Sequence, residues 1–258
     1  MKSTLETLFN YERTIKVRRF DPTILIFLGI MAYMSISDGR FENPMVWFQN
    51  TLILLPGIII AIALHEFAHA YSAYKLGDYT PKVQGRVTLN PIKHLDPIGT
   101  LLIIFIGFGW GRPVMVNPEN FKKQRRDDII VSLAGVATNL VLAILITIIY
   151  AFVLRWIVSN WIIAAWATTL LRVLATAVNI NLILMVFNLL PIPPLDGFNA
   201  VTSLLGIKYT EAYFKIYQYG MFIVMALIVF GVVRTVIGAT VNPMFATLMG
   251  FAMRFSGL

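Results

Sequence analysis

Three residues able to do chemistry fall within five positions of one another: His65, Glu66 and His69. Histidines at i and i+4 lie on one face of a helix, close enough to hold one metal ion between them. A Glu directly after the first His can act as general base on the attacking water, the pairing that metal-dependent hydrolysis requires. In a soluble protein this H-E-x-x-H spacing is a weak signal. Here it interrupts residues 53–74, an otherwise uncharged run, and an ionisable group at membrane depth is expensive unless it has a partner or a task. A structural polar cluster between helices is the plainer alternative; an intramembrane zinc site is the sharper one.

The rest of the chain must be the scaffold for those residues. Of 258 residues 58% are hydrophobic and 13% charged, which excludes an ordinary soluble domain. Several apolar runs approach or exceed the ~20 residues that cross a bilayer, so the fold class expected is an all-α polytopic membrane protein with the lipid bilayer as its solvent. A net charge of +8 could suggest nucleic acid. The bases instead sit in the loops between apolar runs, the pattern of cytosolic loops, so no nucleic-acid partner is expected. There are no cysteines, so any protein metal ligand is nitrogen or oxygen.

About six transmembrane helices are expected, at residues 23–37, 51–74, 129–154, 173–190, 213–233 and 235–253. Residues 98–110 are too short to span and are flanked by basic loops on both sides. They are read as a re-entrant or interfacial segment between the second and third spans. Residues 157–171, broken by Ser159-Asn160 and followed by Arg172, are expected to form a separate interfacial helix. One integral domain is expected over 1–258, with a cytosolic segment at 1–20, a catalytic core at 51–197 and C-terminal transmembrane helices at 198–258. With the N-terminus in the cytosol, 17 of the 21 Lys and Arg fall inside and only Arg40, Arg155, Arg172 and Arg234 outside. That bias places the ends of the helices near His65 and His69 on the cytosolic side of the plasma membrane.

Catalytic zinc usually takes three protein ligands and leaves one position open, so His65 and His69 need a third. His94 lies in a charged loop beside Lys93 and Asp96, and neither His94 nor Asp96 is given a role. Of the acids, all but Glu66 and Asp196 sit in polar loops or at the edges of spans. Asp196 follows Pro191-Ile-Pro193-Pro194-Leu195 and precedes Gly197, so its carboxylate is expected on irregular backbone at membrane depth. Such backbone is tolerated only when buried in protein or lining a wet cavity. An N-cap on a following helix is the alternative for Asp196.

These residues together resemble the site-2 protease family of intramembrane zinc metalloproteases, in its short bacterial form. His65-Glu66-x-x-His69 is similar to the first family motif and Leu195-Asp196-Gly197 to the second. Gly135-x-x-x-Asn139 resembles the pattern of the middle core helix. Further similar stretches are Gln84-Gly-Arg-Val-Thr-Leu-Asn-Pro91, Gly107-Phe-Gly-Trp-Gly-Arg-Pro113 and residues 188–197. Val136 departs from it, where Pro often follows the Gly. The resemblance implies that His65, His69 and Asp196 bind one Zn2+ and that Glu66 activates water. It further implies that Asn139 orients substrate or donates to the oxyanion, and that the substrate is a transmembrane segment of another protein. The alternative for Gly135-x-x-x-Asn139 is a small-residue packing seam.

A peptide bond inside a regular helix cannot be cut, so the substrate must be extended at the metal. Residues 82–89 alternate apolar and polar with a period of two, which predicts a strand, and Val114-Met115-Val116 is its expected hairpin partner. An exposed edge there could take substrate by strand addition; an ordered interfacial hairpin is the alternative. Two rival functions are a membrane metal-ion transporter and a catalytically inactive homologue. Against the first, no second polar span continues a pathway; against the second stands the intact Glu66.

Overall fold

The structure is a computed structural model that describes residues 22–37, 39–107, 109–162 and 164–258. The expected cytosolic segment at 1–20 lies outside the described residues. The chain divides into two units at Glu42/Asn43. The first carries α1 (Pro22–Ser37), a 16-residue apolar helix ended by a turn at Gly39.

The second unit is a helical bundle built on α2 (Pro44–Lys75), α3 (Thr80–Val83), α4 (Pro97–Ile106), α5 (Gln124–Ser159), α6 (Ala165–Leu189), α7 (Asp196–Leu205), α8 (Glu211–Val229) and α9 (Val232–Ser256). Among the described residues five helices are long and apolar enough to cross a membrane: α2, α5, α6, α8 and α9. Helix α1, with 16 described residues, is not among those five. The chemistry of α2 explains its start. Asn43 accepts a hydrogen bond from the Val46 amide, and Pro44, whose missing N–H would have no helical partner, takes the first position.

Helices α2, α5 and α6 pack against one another, and α9 closes over α5 and α6. Their core is apolar, with Ala143, Val178, Leu182 and Val241 buried between α5, α6 and α9, and Ile58, Ala61, Ile62 and Ile180 between α2 and α6. Outside that core Leu52, Val141, Ile149 and Phe152 are exposed. In water such a surface would drive association; hydrocarbon solvates it.

Two expectations change. Residues 157–171 are not a separate helix, because 157–159 end α5 and 165–171 begin α6. Ser159-Asn160 does break the chain, but Arg172 does not, since its guanidinium donates to Asn50 Oδ1 on α2 at 3.2 Å and α6 runs on past it. The strand expected over 82–89 is also absent, and no strand occurs among the described residues. Lys82 and Val83 end α3, Gly85 takes a positive φ of 68°, and Arg86 turns inward instead of alternating outward. Residues 98–110 begin and end close together. Asp96 caps α4 by accepting from the Gly99 amide, and Leu95 and Gly111 form an antiparallel bridge, so the segment leaves and returns at one place.

Candidate active site

The 3.6-residue period of α2 sets His65 and His69 side by side, both buried, with their Nε2 atoms 3.0 Å apart. Each ring is oriented from behind. His65 Nδ1 lies 2.6 Å from Asn139 Oδ1 and His69 Nδ1 lies 2.7 Å from the Val131 carbonyl, both on α5. Those oxygens accept, so each Nδ1 carries the proton and each Nε2 presents a lone pair inward.

Asp196 reaches the same point from α7. Residues 190–195 turn back from the end of α6, and Asp196 is the first residue of a regular helix, not a member of an irregular segment as expected. Gly197 serves there by lacking a side chain: a Cβ would run into the carbonyls of Leu189 and Leu190. The Asp196 side chain makes no helix cap. Its Oδ2 lies 3.1 Å from His65 Nε2 and 3.2 Å from His69 Nε2.

The three atoms form a nearly equilateral triangle of electron-pair donors. With both protons on Nδ1 no hydrogen lies between them, and Asp196 Oδ2 is buried with no hydrogen-bond donor. Three converging lone pairs at a largely buried point repel one another unless a cation sits among them. Ligands about 2.0–2.2 Å from a tetrahedral zinc ion are about 3.3–3.6 Å apart, close to the observed edges. The donor set fits zinc, and His65, His69 and Asp196 form the one such cluster among the described residues.

Residues 53–231 match the model of Peptidase family M50. The chain belongs to that family. Its relatives include YwhC of Bacillus subtilis (strain 168), which bears the name of a zinc metalloprotease. It is 42% identical over 174 residues, covering 65% of this chain and 77% of that protein. Rip2 of Mycolicibacterium smegmatis, named in the same way, is 33% identical over 236 residues, 89% of this chain and 83% of the relative. Rip2 of Mycobacterium tuberculosis (strain ATCC 25618 / H37Rv) is 28% identical over 214 residues, 78% of each. No solved structure matches the chain.

In this M50 peptidase Glu66 lies one residue along α2, partly buried, and its Oε2 accepts from the Val114 amide at 3.2 Å. Asn139 is fully buried and its amide is fully used: Oδ1 faces His65, while Nδ2 donates to Asn181 Oδ1 at 2.9 Å and to the Ala61 carbonyl. The structure therefore sets Asn139 behind a histidine rather than toward a substrate oxyanion. Asn181, which the sequence reading passed over, extends this relay into α6, where its Nδ2 donates to the Ala177 carbonyl. A polar Asn in an apolar span, one of three in α6, was the available signal.

His94 is fully buried and its Nε2 donates to the Thr88 carbonyl at 2.8 Å, holding the loop between α3 and α4. Asp78 fixes the far end of the segment that touches Glu66, accepting from the amides of Thr80 and Asn117, the Thr80 hydroxyl and the Asn120 side chain. Burial acts to raise its pKa, but these donors outweigh it and hold the carboxyl below the usual range.

Proposed function

We propose that this zinc-dependent M50 peptidase hydrolyses peptide bonds of membrane-embedded substrate proteins through a site in which His65, His69 and Asp196 hold the metal and Glu66 is the general base. The observation that carries the reading is the triangle of three inward lone pairs with a carboxylate one residue away on the same helix. Zinc bound there supplies a Lewis acid for the scissile carbonyl and lowers the pKa of water. Glu66 takes the proton from the attacking water and hands it to the leaving amine. Asn139 and Asn181 act as positioning residues, since they hold the His65 ring and its tautomer without reaching the reacting atoms.

The substrate has to unwind before it is cut, and the open backbone of Val114–Val116 beside Glu66 supports pairing there rather than at 82–89. Val114 gives its amide to Glu66 and Asn117 gives its amide to Asp78, while Met115 is exposed. No hydrogen bond to the Met115 or Val116 backbone occurs among the described residues. An extended substrate can pair along that edge.

Purified protein is expected to cut a transmembrane model substrate, to stop when a chelator strips the metal, and to resume when Zn2+ alone is returned. Cleavage that survives complete loss of zinc sinks the reading.

The site is further proposed to face the cytosol from the plasma membrane. The Asp78 contacts tie the loop after α2 to residues 117 and 120, so the two basic loops belong to one end of the bundle. Lys82 and Lys122 are both exposed there. With no native cysteine, single cysteines at these positions give unambiguous labels. Both are expected to react only with a reagent that reaches the cytosol. Labelling from opposite sides would rule the topology out.

A further inference from the structure

Arg86 is a buried cation that the hydrolytic reading leaves without a use. It is 6% exposed and forms no ion pair with a carboxylate among the described residues. A buried charge without a counter-ion is costly, and most chains avoid it. Both of its bonds go to backbone carbonyls: Nη1 donates to Lys93 and Nη2 to Pro113, the latter at 3.0 Å. The Lys93 bond ties down the 3₁₀ turn Pro91–Lys93. The Pro113 bond reaches further.

The carbonyl of Pro113 and the amide of Val114 are two ends of one peptide group. Arg86 donates to the first, and the second donates to Glu66 Oε2 at 3.2 Å. A single planar peptide thus stands between a buried guanidinium and the carboxylate on the active-site helix. A peptide whose oxygen is held by a cation is polarised, and its N–H becomes a stronger donor. Because the peptide is planar, fixing its oxygen also fixes where its N–H points. The segment has few other ties: the Leu95–Gly111 bridge and the Arg112 amide on the His94 carbonyl come before it, and Asp78 comes after. The electrostatics agree with this geometry. Burial and the neighbouring Arg112 push the Arg86 guanidinium down from its usual value, and Glu66 acts the other way.

We infer that Arg86 is a positioning residue for hydrolysis, aiming the Glu66 carboxylate through the Pro113–Val114 peptide. This rests on Glu66 being the general base. Arg86 touches neither substrate nor metal; its effect runs through the direction in which Glu66 is held. Because misplacement of a catalytic group by about 1 Å can cost about 100-fold, the loss falls on kcat rather than on substrate binding or on zinc.

The test is a double-mutant cycle read in kcat, KM and zinc content. Arg86→Gln cannot fill both carbonyl bonds. Replacing the Val114 residue by its α-hydroxy acid turns the one peptide into an ester, which removes the N–H, weakens the carbonyl as an acceptor and leaves every side chain in place. Each change is expected to lower kcat about 10- to 100-fold, with KM within about twofold and zinc still near one per chain. The two together are expected to be no worse than the more damaging one alone, since both act through one peptide group. Arg112→Gln, which removes the neighbouring charge but no bond to the peptide, is expected to keep wild-type kcat.

Multiplying losses, a change confined to KM, or an equal loss in Arg112→Gln would overturn the inference. Should Arg86→Gln fail to fold, the ester protein decides alone, and wild-type kcat in it rejects the relay. Failure of the underlying reading looks different: turnover would then survive Glu66→Gln, whatever Arg86 does.

Discussion

Glu66→Gln is expected to leave the purified protein with its full zinc content and to reduce turnover by about 100- to 10,000-fold, the usual contribution of a positioned general base. The substitution keeps the size and shape of the side chain. Its Oε1 can still accept from the Val114 amide, so the loop beside the site stays in place. What it removes is the ability to take a proton. The ligand positions behave in the opposite way. Replacing His65, His69 or Asp196 by Ala opens the triangle of donors, and both metal and activity are lost together. Metal content measured beside cleavage of a membrane substrate separates the two classes. A Gln variant that cuts at near the wild-type rate would remove Glu66 from the base role, and an Asp196→Ala variant that keeps its zinc would remove Asp196 from the ligand set.

The parts of the site that could be read from the sequence were those whose chemistry is rare for their surroundings. His65, Glu66 and His69 stand out because residues 53–74 hold no other acid, base or histidine, and the helical period does the rest. Asp196 stood out because the chain holds few acids and the others lie in polar loops or at span edges. Its local backbone differs from that expected: α6 ends before the prolines, residues 190–195 turn, and a new helix begins with Asp196 as its first residue.

Periodicity misled where a polar residue turned inward. In residues 82–89 Arg86 occupies a position that a half-buried strand would give to solvent, yet its guanidinium is buried against two carbonyls. No single-sequence pattern separates those outcomes, because both read as a charged residue between apolar ones. The spacing Gly135-x-x-x-Asn139 marks Asn139 as a core residue but does not contain its partner. Its bond to His65 Nδ1 depends on how α5 lies against α2, which a spacing within α5 does not contain. The same holds for the Val131 carbonyl behind His69. Contacts that a second helix makes to the back of a side chain are legible only once the packing is known.

Gly135 carries the last of these hidden demands and the second large effect. It lies on α5 facing the two histidines, and a Cβ built on it would sit 2.5 Å from His69 Nε2 and 2.6 Å from His65 Nε2. A methyl group there occupies the space in which the proposed metal would meet the two histidines. Helix propensity pulls the other way, since Ala is favoured over Gly in a helix interior by about 0.5–1 kcal/mol. Overpacking a buried site costs about 1–3 kcal/mol, so the steric effect outweighs the propensity and falls on the ligands. Gly135→Ala is therefore expected to keep its helical content while zinc affinity falls about 10- to 100-fold, with turnover falling in step. Gly238→Ala on α9 is the matched control. Its Cβ would meet nothing nearer than Asn242 Nδ2 at 3.8 Å, so only the propensity gain remains and zinc and activity are expected to be unchanged. Zinc titration and circular dichroism on the two variants decide the matter. Wild-type zinc affinity in Gly135→Ala would mean that the histidines do not converge where the helix packing now places them.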